Sequence, residues 1–242
     1  KPKFTFHGFR YVELSGFDQS VTPETSWVTG LVQYSDFDFA GTFSSSHEKL
    51  NQLQSNIEWG LRGNFLDIPT DCPQRDERAA WTGDAQVFIP TSLFIADAHS
   101  FWTSWMQSLR EDQRDNGSVP IVVPDIDGRR VSSGWGDAAT VIPWEIYLRT
   151  GDQKILEDSY QSMMDWIKFY RSVSENHIPN IFTYGDWLQP FSEHPQDERK
   201  GETDEKFINT AYYARSVELT LQTAEVLGQT EDVTELRTWL NE

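Results

Sequence analysis

Ionisable and aromatic side chains are concentrated in one 14-residue segment of this chain, from Asp71 to Asp84. It holds four carboxylates, two guanidinium groups and a tryptophan: Asp71, Asp76, Glu77, Asp84, Arg75, Arg78 and Trp81. This density exceeds what a solvated surface needs, and carboxylates in unusual environments are enriched in functional sites. The segment therefore predicts the wall of an active site in which a carboxylic acid and an aromatic plane act together.

The same segment is predicted to be helical. Pro73 is tolerated only near a helix start, so we expect the helix to begin at 72–75, with Thr70 or Asp71 as its cap. Side chains four and seven positions apart lie on nearly one face of a helix. The acidic and aromatic side chains of the segment should then point in one direction.

Glu77 is the leading candidate for a general acid. On the predicted helix it shares a face with Trp81 and Asp84, and the indole could desolvate it and favour its protonated form. The alternative is a surface glutamate that pairs with Arg75 or Arg78.

Three further residues of the segment are candidates for holding a ligand. Arg75 can orient a carboxylate or donate a fork of hydrogen bonds to vicinal hydroxyl groups. Asp71 is also explained as a helix cap, and Asp84 as the ion-pair partner of Arg62 or Arg78. Their joint occurrence in one segment favours a site.

Two later glycine-flanked loops place an aromatic ring beside a carboxylate: Gly134-Trp135-Gly136-Asp137 and Tyr184-Gly185-Asp186-Trp187. Aromatic planes match the apolar face of a pyranose, and carboxylates accept hydrogen bonds from its hydroxyl groups. Core packing is the alternative for Trp135 and Trp187. The adjacent glycines favour ligand contact, so Trp135, Asp137 and Trp187 join the candidates.

The charge and hydropathy of the chain limit its partners. The formal net charge of -18 repels polyphosphate and argues against nucleic acid as a partner. No window approaches the roughly 18 consecutive apolar residues of a membrane span, so no membrane partner is expected. The first residues lack the apolar core of a signal peptide, and the sequence assigns no compartment.

No metal or cofactor is expected. Cys72 is the one cysteine, which excludes an internal disulfide and a thiolate metal cluster, and no neighbouring histidine could activate it. The sequence has no phosphate-cradling glycine loop, GxSxG elbow or dinucleotide fingerprint. The histidines are scattered, with no metal-ligand pair on one helical face: His7, His47, His99, His177 and His194.

Local patterns predict a β-segment followed by a helical domain. Residues 4–14 and 27–34 alternate apolar and polar side chains, which is typical of strands. So few strands do not form a stable sheet, and a polar boundary follows them. We therefore divide the chain into 1–43, the last strands of a β-domain, and 44–242, a helical domain.

Helical spacing of apolar residues predicts seven helices in this second part. The first follows the apolar stripe Leu50, Leu53, Ile57 and Leu61, and the second runs to Phe94 and is bent or divided at Pro90. The third has an apolar face of Phe101, Trp102, Trp105, Met106 and Leu109, and the fourth covers 137–149, is interrupted by Pro143 and is stopped by Gly151. The fifth has the apolar face Leu156, Tyr160, Met163, Ile167 and Tyr170. The sixth has the stripe Phe207, Ala211, Ala214, Val217, Leu221 and Ala224 and ends at Gly228, and the seventh begins at Glu231. Helices that alternate with long loops suggest an all-helical toroid or array.

Four ordered motifs resemble those of bacterial α-L-rhamnosidases of glycoside hydrolase family 78. They are Asn64-Phe65 through Asp71-Cys72-Pro73-Gln74-Arg75-Asp76-Glu77-Arg78 to Trp81-Thr82-Gly83-Asp84-Ala85-Gln86, then Gly134-Trp135-Gly136-Asp137-Ala138, Tyr184-Gly185-Asp186-Trp187-Leu188 and Thr210-Ala211-Tyr212-Tyr213-Ala214. The segment from Phe6 to Val12 is similar to a strand of the β-sandwich that precedes the catalytic domain in that family. The resemblance covers nearly the whole chain.

The resemblance implies an (α/α)6 barrel with a pocket at its mouth, which removes terminal α-L-rhamnose from glycosides or polysaccharides by inversion. Glu77 matches the proposed general acid. The residues that match sugar-binding, acid-tuning or aromatic lining positions are Asp71, Arg75, Asp84, Trp81, Trp135 and Trp187, and Asp137 is carried over with them. An inverting hydrolase also needs a base, with the two carboxyl groups roughly 6.5–9.5 Å apart.

The sequence departs from this family in one respect. The family's base is a glutamate of later barrel helices, and none of Glu193, Glu198, Glu202 and Glu205 has the matching context. We therefore expect only the first half of the barrel here and poor hydrolysis by this polypeptide alone. Core surface exposed in that way would be covered by a second copy, as a homo-oligomer, or by the remainder of the enzyme.

Two other classes of function stay open. Another (α/α)6 carbohydrate enzyme could use the same acid and aromatic residues: a phosphorylase, which needs a basic phosphate site, or a lyase, which needs a uronate-binding Arg or Lys near Trp135 and Trp187. Neither feature is apparent in the sequence. A non-catalytic sugar-binding module would bind its ligand equally well after Glu77→Gln.

Overall fold

The structure, a computed structural model, describes residues 3–18, 20–126, 128, 130–193 and 201–242. The chain forms two compact units. The first comprises Lys1–Asp36 with Thr42–Ala79, and the second comprises Phe37–Gly41 with Ala80–Glu242. His194 and Glu198, considered above as a metal ligand and as a base, lie outside the described residues.

The N-terminal segment of the first unit differs from the two strands that its sequence pattern predicts. In its described residues, 4–14 and 27–34 form no β-ladder, and the regular element is one 3-10 turn, Thr25–Trp27. Alternating side chains favour an extended backbone, but a strand also needs a neighbour with which to exchange hydrogen bonds. Apolar side chains such as Tyr11 and Leu31 are consequently exposed.

Helix α1, Glu48–Asn64, follows the predicted apolar stripe. Leu61 is fully buried near its end, whereas Leu50 near its start is exposed. The helix leads into an antiparallel pair of short strands, β1, Phe65–Leu66, and β2, Ile68–Pro69. This hairpin delivers the chain to the acidic segment.

The residues 71–81 are not helical, so the predicted early start of the second helix is wrong. The next helix begins only at Thr82. Asp71 bonds to the backbone of Ala79, and Arg78 has a φ of 39°, which lies outside the right-handed helical region. Contacts across the segment therefore override its local helical pattern.

Six α-helices account for most of the described residues of the second unit, which confirms a mainly α fold. They are α2, Thr82–Ile95; α3, His99–Asp112; α4, Ala138–Thr150; α5, Gln153–Ser172; α6, Glu205–Leu227; and α7, Thr230–Asn241. An antiparallel pair, β3, Ser174–Glu175, and β4, Ile178–Pro179, lies between α5 and α6. Helix α4 packs against α2, α3, α5 and α6. None of the helices in the described residues is long and apolar enough to span a lipid bilayer.

Large side chains from α3 and α5 fill the core of this unit. The predicted apolar face of α3 is confirmed, because all of its members are buried: Phe101, Trp102, Trp105, Met106 and Leu109. On α5, Leu156, Met163, Ile167 and Tyr170 are buried as predicted, whereas Tyr160 is half-buried. Helical spacing alone therefore locates most of this core.

The buried face of α6 differs from the predicted stripe in its first turns. Phe207 is exposed, whereas Ile208, Asn209 and Tyr213 are buried. The amide of Asn209 donates a hydrogen bond to the carbonyl oxygen of Ile181 at 2.8 Å. A polar residue is thus used on the buried face because it satisfies a neighbouring loop.

Two glycines end helices as predicted, whereas two prolines lie inside helices without ending them. The predicted stops are confirmed, since Gly151 and Gly228 follow α4 and α6 with φ of 73° and 71°. Pro90 and Pro143 do not divide their helices, and α2 and α4 continue across them. Each proline removes one backbone hydrogen bond, which packing of the helix can offset.

Candidate active site

A closed loop carries the candidate general acid. The backbone N–H of Asp71 donates to the carbonyl oxygen of Ala79 at 2.9 Å, and the N–H of Ala79 donates to Asp71 Oδ1 at 3.1 Å. These two bonds join the ends of residues 71–79, which we call the carboxylate loop. Asp71 thus closes a loop instead of capping a helix.

Arg75 gathers the side chains of the carboxylate loop. Its Nη2 lies 2.7 Å from Asp71 Oδ2 and 3.2 Å from Glu77 Oε2, and its Nε donates to the sulfur of Cys72 at 3.3 Å. The interaction with Cys72, followed by the charge of Glu77, raises the pKa of Arg75 above its ordinary value. The guanidinium group therefore holds both carboxylates in defined positions.

Glu77 has a more open environment than the sequence predicted. Because the segment is not helical, Glu77, Trp81 and Asp84 share no helix face, and that prediction is wrong. The side chain of Glu77 is 35% exposed and pairs with Arg75, as in the alternative interpretation. Asp71 is only 7% exposed, so Glu77 is the partner of Arg75 that a solute reaches more easily.

The carboxylate loop also contains atoms with the spacing of a metal site. One ligand atom each from Asp71, Cys72 and Glu77 lies within 4.8 Å of the others. Arg75 contacts all three groups, so a guanidinium group already lies among them. The geometry fits an arginine-centred cluster better than a metal ion.

The N-terminal segment supports the carboxylate loop from one side. The N–H of Gly8 donates to the carbonyl oxygen of Pro73 at 2.9 Å, and a Cβ at Gly8 would lie 2.9 Å from the backbone nitrogen of Gln74. Arg78 donates to the carbonyl oxygen of Phe6 at 2.5 Å and lies over its ring. This close approach requires glycine at position 8.

Four aromatic rings from three segments meet in the second unit. The ring centroid of Tyr184 lies 4.6 Å from that of Trp135, 5.2 Å from Trp187 and 6.0 Å from Trp81. We call these four residues the aromatic cluster. Trp187 is 45% exposed, and Trp81 and Trp135 are half-buried. The structure thus brings the three predicted tryptophans together around Tyr184. Tyr184 lies in the motif Tyr184-Gly185-Asp186-Trp187-Leu188, but its residue type and spacing alone did not indicate a role.

Backbone pairing fixes Trp81 immediately before α2. Trp81 and Val122 form an antiparallel bridge. On either side of it, the N–H of Val123 donates to the carbonyl oxygen of Ala80 at 3.0 Å, and the N–H of Thr82 donates to that of Ile121 at 2.9 Å. The loop between α3 and α4 therefore sets the position of this indole.

Trp135 packs against the start of α2. A Cβ at Gly83 would lie 2.6 Å from Trp135 Nε1, so the absence of a side chain there makes room for the indole. The preceding residue, Gly134, has a φ of 79°, and its carbonyl oxygen accepts a hydrogen bond from Gln86 of α2. Helix α2 therefore holds this loop through both shape and a hydrogen bond.

The segment of Tyr184 and Trp187 lies beside the loop of Trp135. The N–H of Ser133 donates to the carbonyl oxygen of Phe182 at 3.1 Å, and the hydroxyl of Thr183 donates to the carbonyl oxygen of Ser133 at 3.1 Å. Ser133 and Thr183 also form a parallel bridge between the two loops. The bridge explains why residues about 50 positions apart share one cluster.

Asp137 was predicted to contact a ligand, but the structure buries it in the core. Its fully buried carboxylate accepts four hydrogen bonds, from Trp166 Nε1 and Ser216 Oγ on Oδ1, and from Gly134 N and Tyr170 Oη on Oδ2. Burial raises the pKa of Asp137, and these hydrogen bonds oppose the rise. A direct ligand contact does not fit this burial, because protein donors occupy both oxygens; Asp137 instead holds the loop of Trp135.

Asp84 is exposed in the first turn of α2. A carboxylate at this position interacts favourably with the positive end of the helix dipole. Because its side chain is also accessible to a solute, Asp84 remains a candidate for ligand binding.

Two family models match consecutive parts of the chain. The model of the bacterial alpha-L-rhamnosidase 6 hairpin glycosidase domain matches residues 38–242. The model of the bacterial alpha-L-rhamnosidase concanavalin-like domain matches residues 1–34.

Similar proteins and solved structures are also named alpha-L-rhamnosidases. An alpha-L-rhamnosidase of Formosa agariphila is 61% identical over 232 residues, which are 96% of this chain and 25% of that protein. The crystal structure of an Aspergillus terreus rhamnosidase matches with a TM-score of 0.87 and 34% identity, over 97% of this chain and 28% of that chain. A Streptomyces avermitilis alpha-L-rhamnosidase complexed with L-rhamnose matches with a TM-score of 0.78 and 36% identity, over 86% of this chain and 19% of that chain.

This chain thus spans 25% of the length of the first two curated relatives that it matches. The predicted fold class is confirmed by the six-hairpin family model and by the similarity to solved rhamnosidases. With 205 of its 242 residues matched by that model, residues 38 to 242, the chain belongs to the bacterial α-L-rhamnosidase family with a six-hairpin glycosidase domain.

Proposed function

We propose that this chain is part of an enzyme that hydrolyses terminal α-L-rhamnosides in rhamnose-containing glycosides. Family membership supports the proposal, together with the similarity to a rhamnosidase solved with L-rhamnose. The observation that carries it is the placement of Glu77, a partly exposed carboxylate on a closed loop, 3.2 Å from Arg75.

In this proposal Glu77 is the general acid. A glycosidic oxygen leaves readily only when it is protonated, and a carboxylic acid at the right place donates that proton. The side chain of Arg75 is 59% exposed, so its guanidinium N–H groups can donate hydrogen bonds to vicinal hydroxyl groups of a sugar while Arg75 stays bonded to Asp71.

The tryptophans of the aromatic cluster are proposed to bind the apolar face of the sugar. Trp81, Trp135 and Trp187 each offer part of a ring to solvent. Indole planes gain from covering the C–H face of a pyranose, while polar side chains such as Asp84 bond its hydroxyl groups. Binding energy from the rings then orients the sugar.

Inversion at the anomeric carbon is the stereochemistry that we propose. It needs a second carboxylate that activates water on the opposite ring face. The family resemblance assigns this base to later barrel helices, outside the 242 residues. We therefore expect the chain by itself to release far less nitrophenol from an aryl α-L-rhamnoside than the full-length enzyme that contains it, and equal rates would contradict this part of the proposal.

We also propose that 1–43 ends a β-sandwich domain and that 44–242 is the first half of the (α/α)6 barrel. The concanavalin-like model ends at residue 34 and the six-hairpin model begins at residue 38, which supports a domain boundary a few residues before the proposed one.

Glu77→Gln in the full-length enzyme tests the function. We expect kcat/KM for an aryl α-L-rhamnoside to fall at least roughly 100-fold, because general acid catalysis typically contributes about 10²–10⁴. Asp76→Asn is the matched control, since Asp76 is the neighbouring carboxylate and its side chain is fully exposed. A loss below 100-fold in Glu77→Gln, or an equal loss in Asp76→Asn, would refute the assigned acid.

One observation favours a lyase as the second candidate. Such an enzyme needs a cation beside its aromatic residues, and Arg130 Nη1 lies 3.4 Å from the hydroxyl of Tyr184. Product analysis separates the two chemistries, because only elimination leaves a carbon–carbon double bond that absorbs ultraviolet light, whereas hydrolysis adds water and creates no such bond.

A further inference from the structure

The three tryptophans proposed to bind sugar come from separate parts of the chain, and one residue touches them all. Tyr184 contacts Trp135, Trp187 and Trp81 at centroid distances of 4.6, 5.2 and 6.0 Å. Its ring meets those of Trp187 and Trp81 at 79° and 76°, which is the edge-to-face arrangement that aromatic pairs favour. Tyr184 is therefore their common support.

The fold itself holds Tyr184. The hydroxyl of its neighbour Thr183 donates to the carbonyl oxygen of Ser133 and accepts from the N–H of Gly185, both at 3.1 Å. Gly185 has a φ of 64°, and this turn brings Trp187 back onto Tyr184. The residues on both sides of Tyr184 are thus fixed before any ligand binds.

The tryptophans need a support because they are partly exposed. A side chain with exposed surface changes rotamer on a timescale of about nanoseconds or less. An indole must be fixed in one orientation if its face is to position a sugar for reaction. The contact with Tyr184 limits these motions for the three rings at once.

We infer that Tyr184 is a positioning residue, whose ring orients the three tryptophans that bind rhamnose. This inference rests on the proposed function and adds a residue to it. The hydroxyl group has a lesser role, because its hydrogen bond from Arg130 is long, at 3.4 Å. The aromatic ring of Tyr184 therefore carries the effect.

Two substitutions in the full-length enzyme separate the ring from the hydroxyl. Tyr184→Leu removes the ring, and we expect it to raise KM for an aryl α-L-rhamnoside roughly tenfold with a smaller change in kcat, since ordering one or two freed indoles on binding costs about that factor. Tyr184→Phe keeps the ring and should retain KM within roughly threefold, well below that factor. Thermal unfolding of each variant reports whether the protein remains folded.

Phe182→Leu is the matched control. Its ring also contacts Tyr184, at 4.9 Å, but Phe182 lies outside the aromatic cluster and is exposed. We expect KM to stay close to that of the unmodified enzyme. If Tyr184→Leu fails to fold, Tyr184→Met takes its place, because it keeps a longer apolar side chain.

The outcomes distinguish this inference from the function on which it rests. An unmodified enzyme that leaves aryl rhamnosides intact would refute the function and the inference together. An active enzyme whose KM is unaffected by Tyr184→Leu would refute the inference alone. So would an equal rise of KM in Tyr184→Phe, or a loss of kcat at constant KM with a lower melting temperature, which would indicate a purely structural role.

Discussion

Asp137 accepts a hydrogen bond from the hydroxyl of Ser216 at 2.6 Å, although 79 positions separate the two residues. The same carboxylate accepts bonds from Trp166 and Tyr170 of α5 and from Gly134 in the loop of Trp135. One buried side chain thus connects two helices with the loop that carries part of the aromatic cluster.

Asp137→Asn should lower the free energy of unfolding by about 3 kcal/mol or more. An amide nitrogen cannot accept hydrogen bonds, so buried donors that face it would lose their acceptor. Urea unfolding of the 242-residue chain measures the effect. The control is Asp158→Asn. Asp158 forms an ion pair with Lys154 on the surface of α5, and such pairs contribute about 1 kcal/mol at most. Similar losses in both variants would contradict the role of Asp137.

Gly83→Ala should displace Trp135, because the added Cβ would lie 2.6 Å from the indole nitrogen. We expect KM for an aryl α-L-rhamnoside to rise about tenfold or more in the full-length enzyme, since misplacement by an ångström can cost roughly 100-fold.

Gly60→Ala is the control for this change. No atom outside the local helix lies within 4 Å of a Cβ at Gly60 in α1, so alanine should leave KM unchanged and stabilise the helix by about 0.5–1 kcal/mol. An unaltered KM in Gly83→Ala would show that the position of Trp135 does not matter for substrate binding.

Tyr160 should make stability depend on pH in alkaline solution. Its hydroxyl in α5 donates to Asp232 Oδ2 in α7 at 2.7 Å. Burial, and then this hydrogen bond and the nearby charge, raise the pKa of Tyr160 above the ordinary value of 10.0. The resulting stability is complete below pH 10.0, where both states keep the proton, and is lost as pH rises through the higher folded pKa.

Tyr160→Phe should therefore reduce the decline of the unfolding free energy above this pH. Urea unfolding at increasing pH measures the slope, and Tyr11→Phe serves as the control because Tyr11 is exposed. A slope that is identical in the unmodified chain and in Tyr160→Phe would refute this assignment.

Much of the helical part could be predicted from sequence because its signals are local. The apolar face of α3 repeats with helical spacing, and Gly151 and Gly228 stop α4 and α6 where their positive φ allows. The family resemblance rested on ordered motifs in the same way, and the family models agree with it. Such patterns need no knowledge of which distant residues meet.

Local patterns and ordered motifs thus predicted the fold class, the family and most helix positions, together with the tryptophans that the structure brings together. The tertiary structure alone sets the non-helical conformation of the carboxylate loop, where the bonds between Asp71 and Ala79 override a helical pattern. It likewise decided the burial of Asp137 and the central place of Tyr184. These features depend on hydrogen bonds and ring contacts between separated segments, and no local spacing records which segments will pack together.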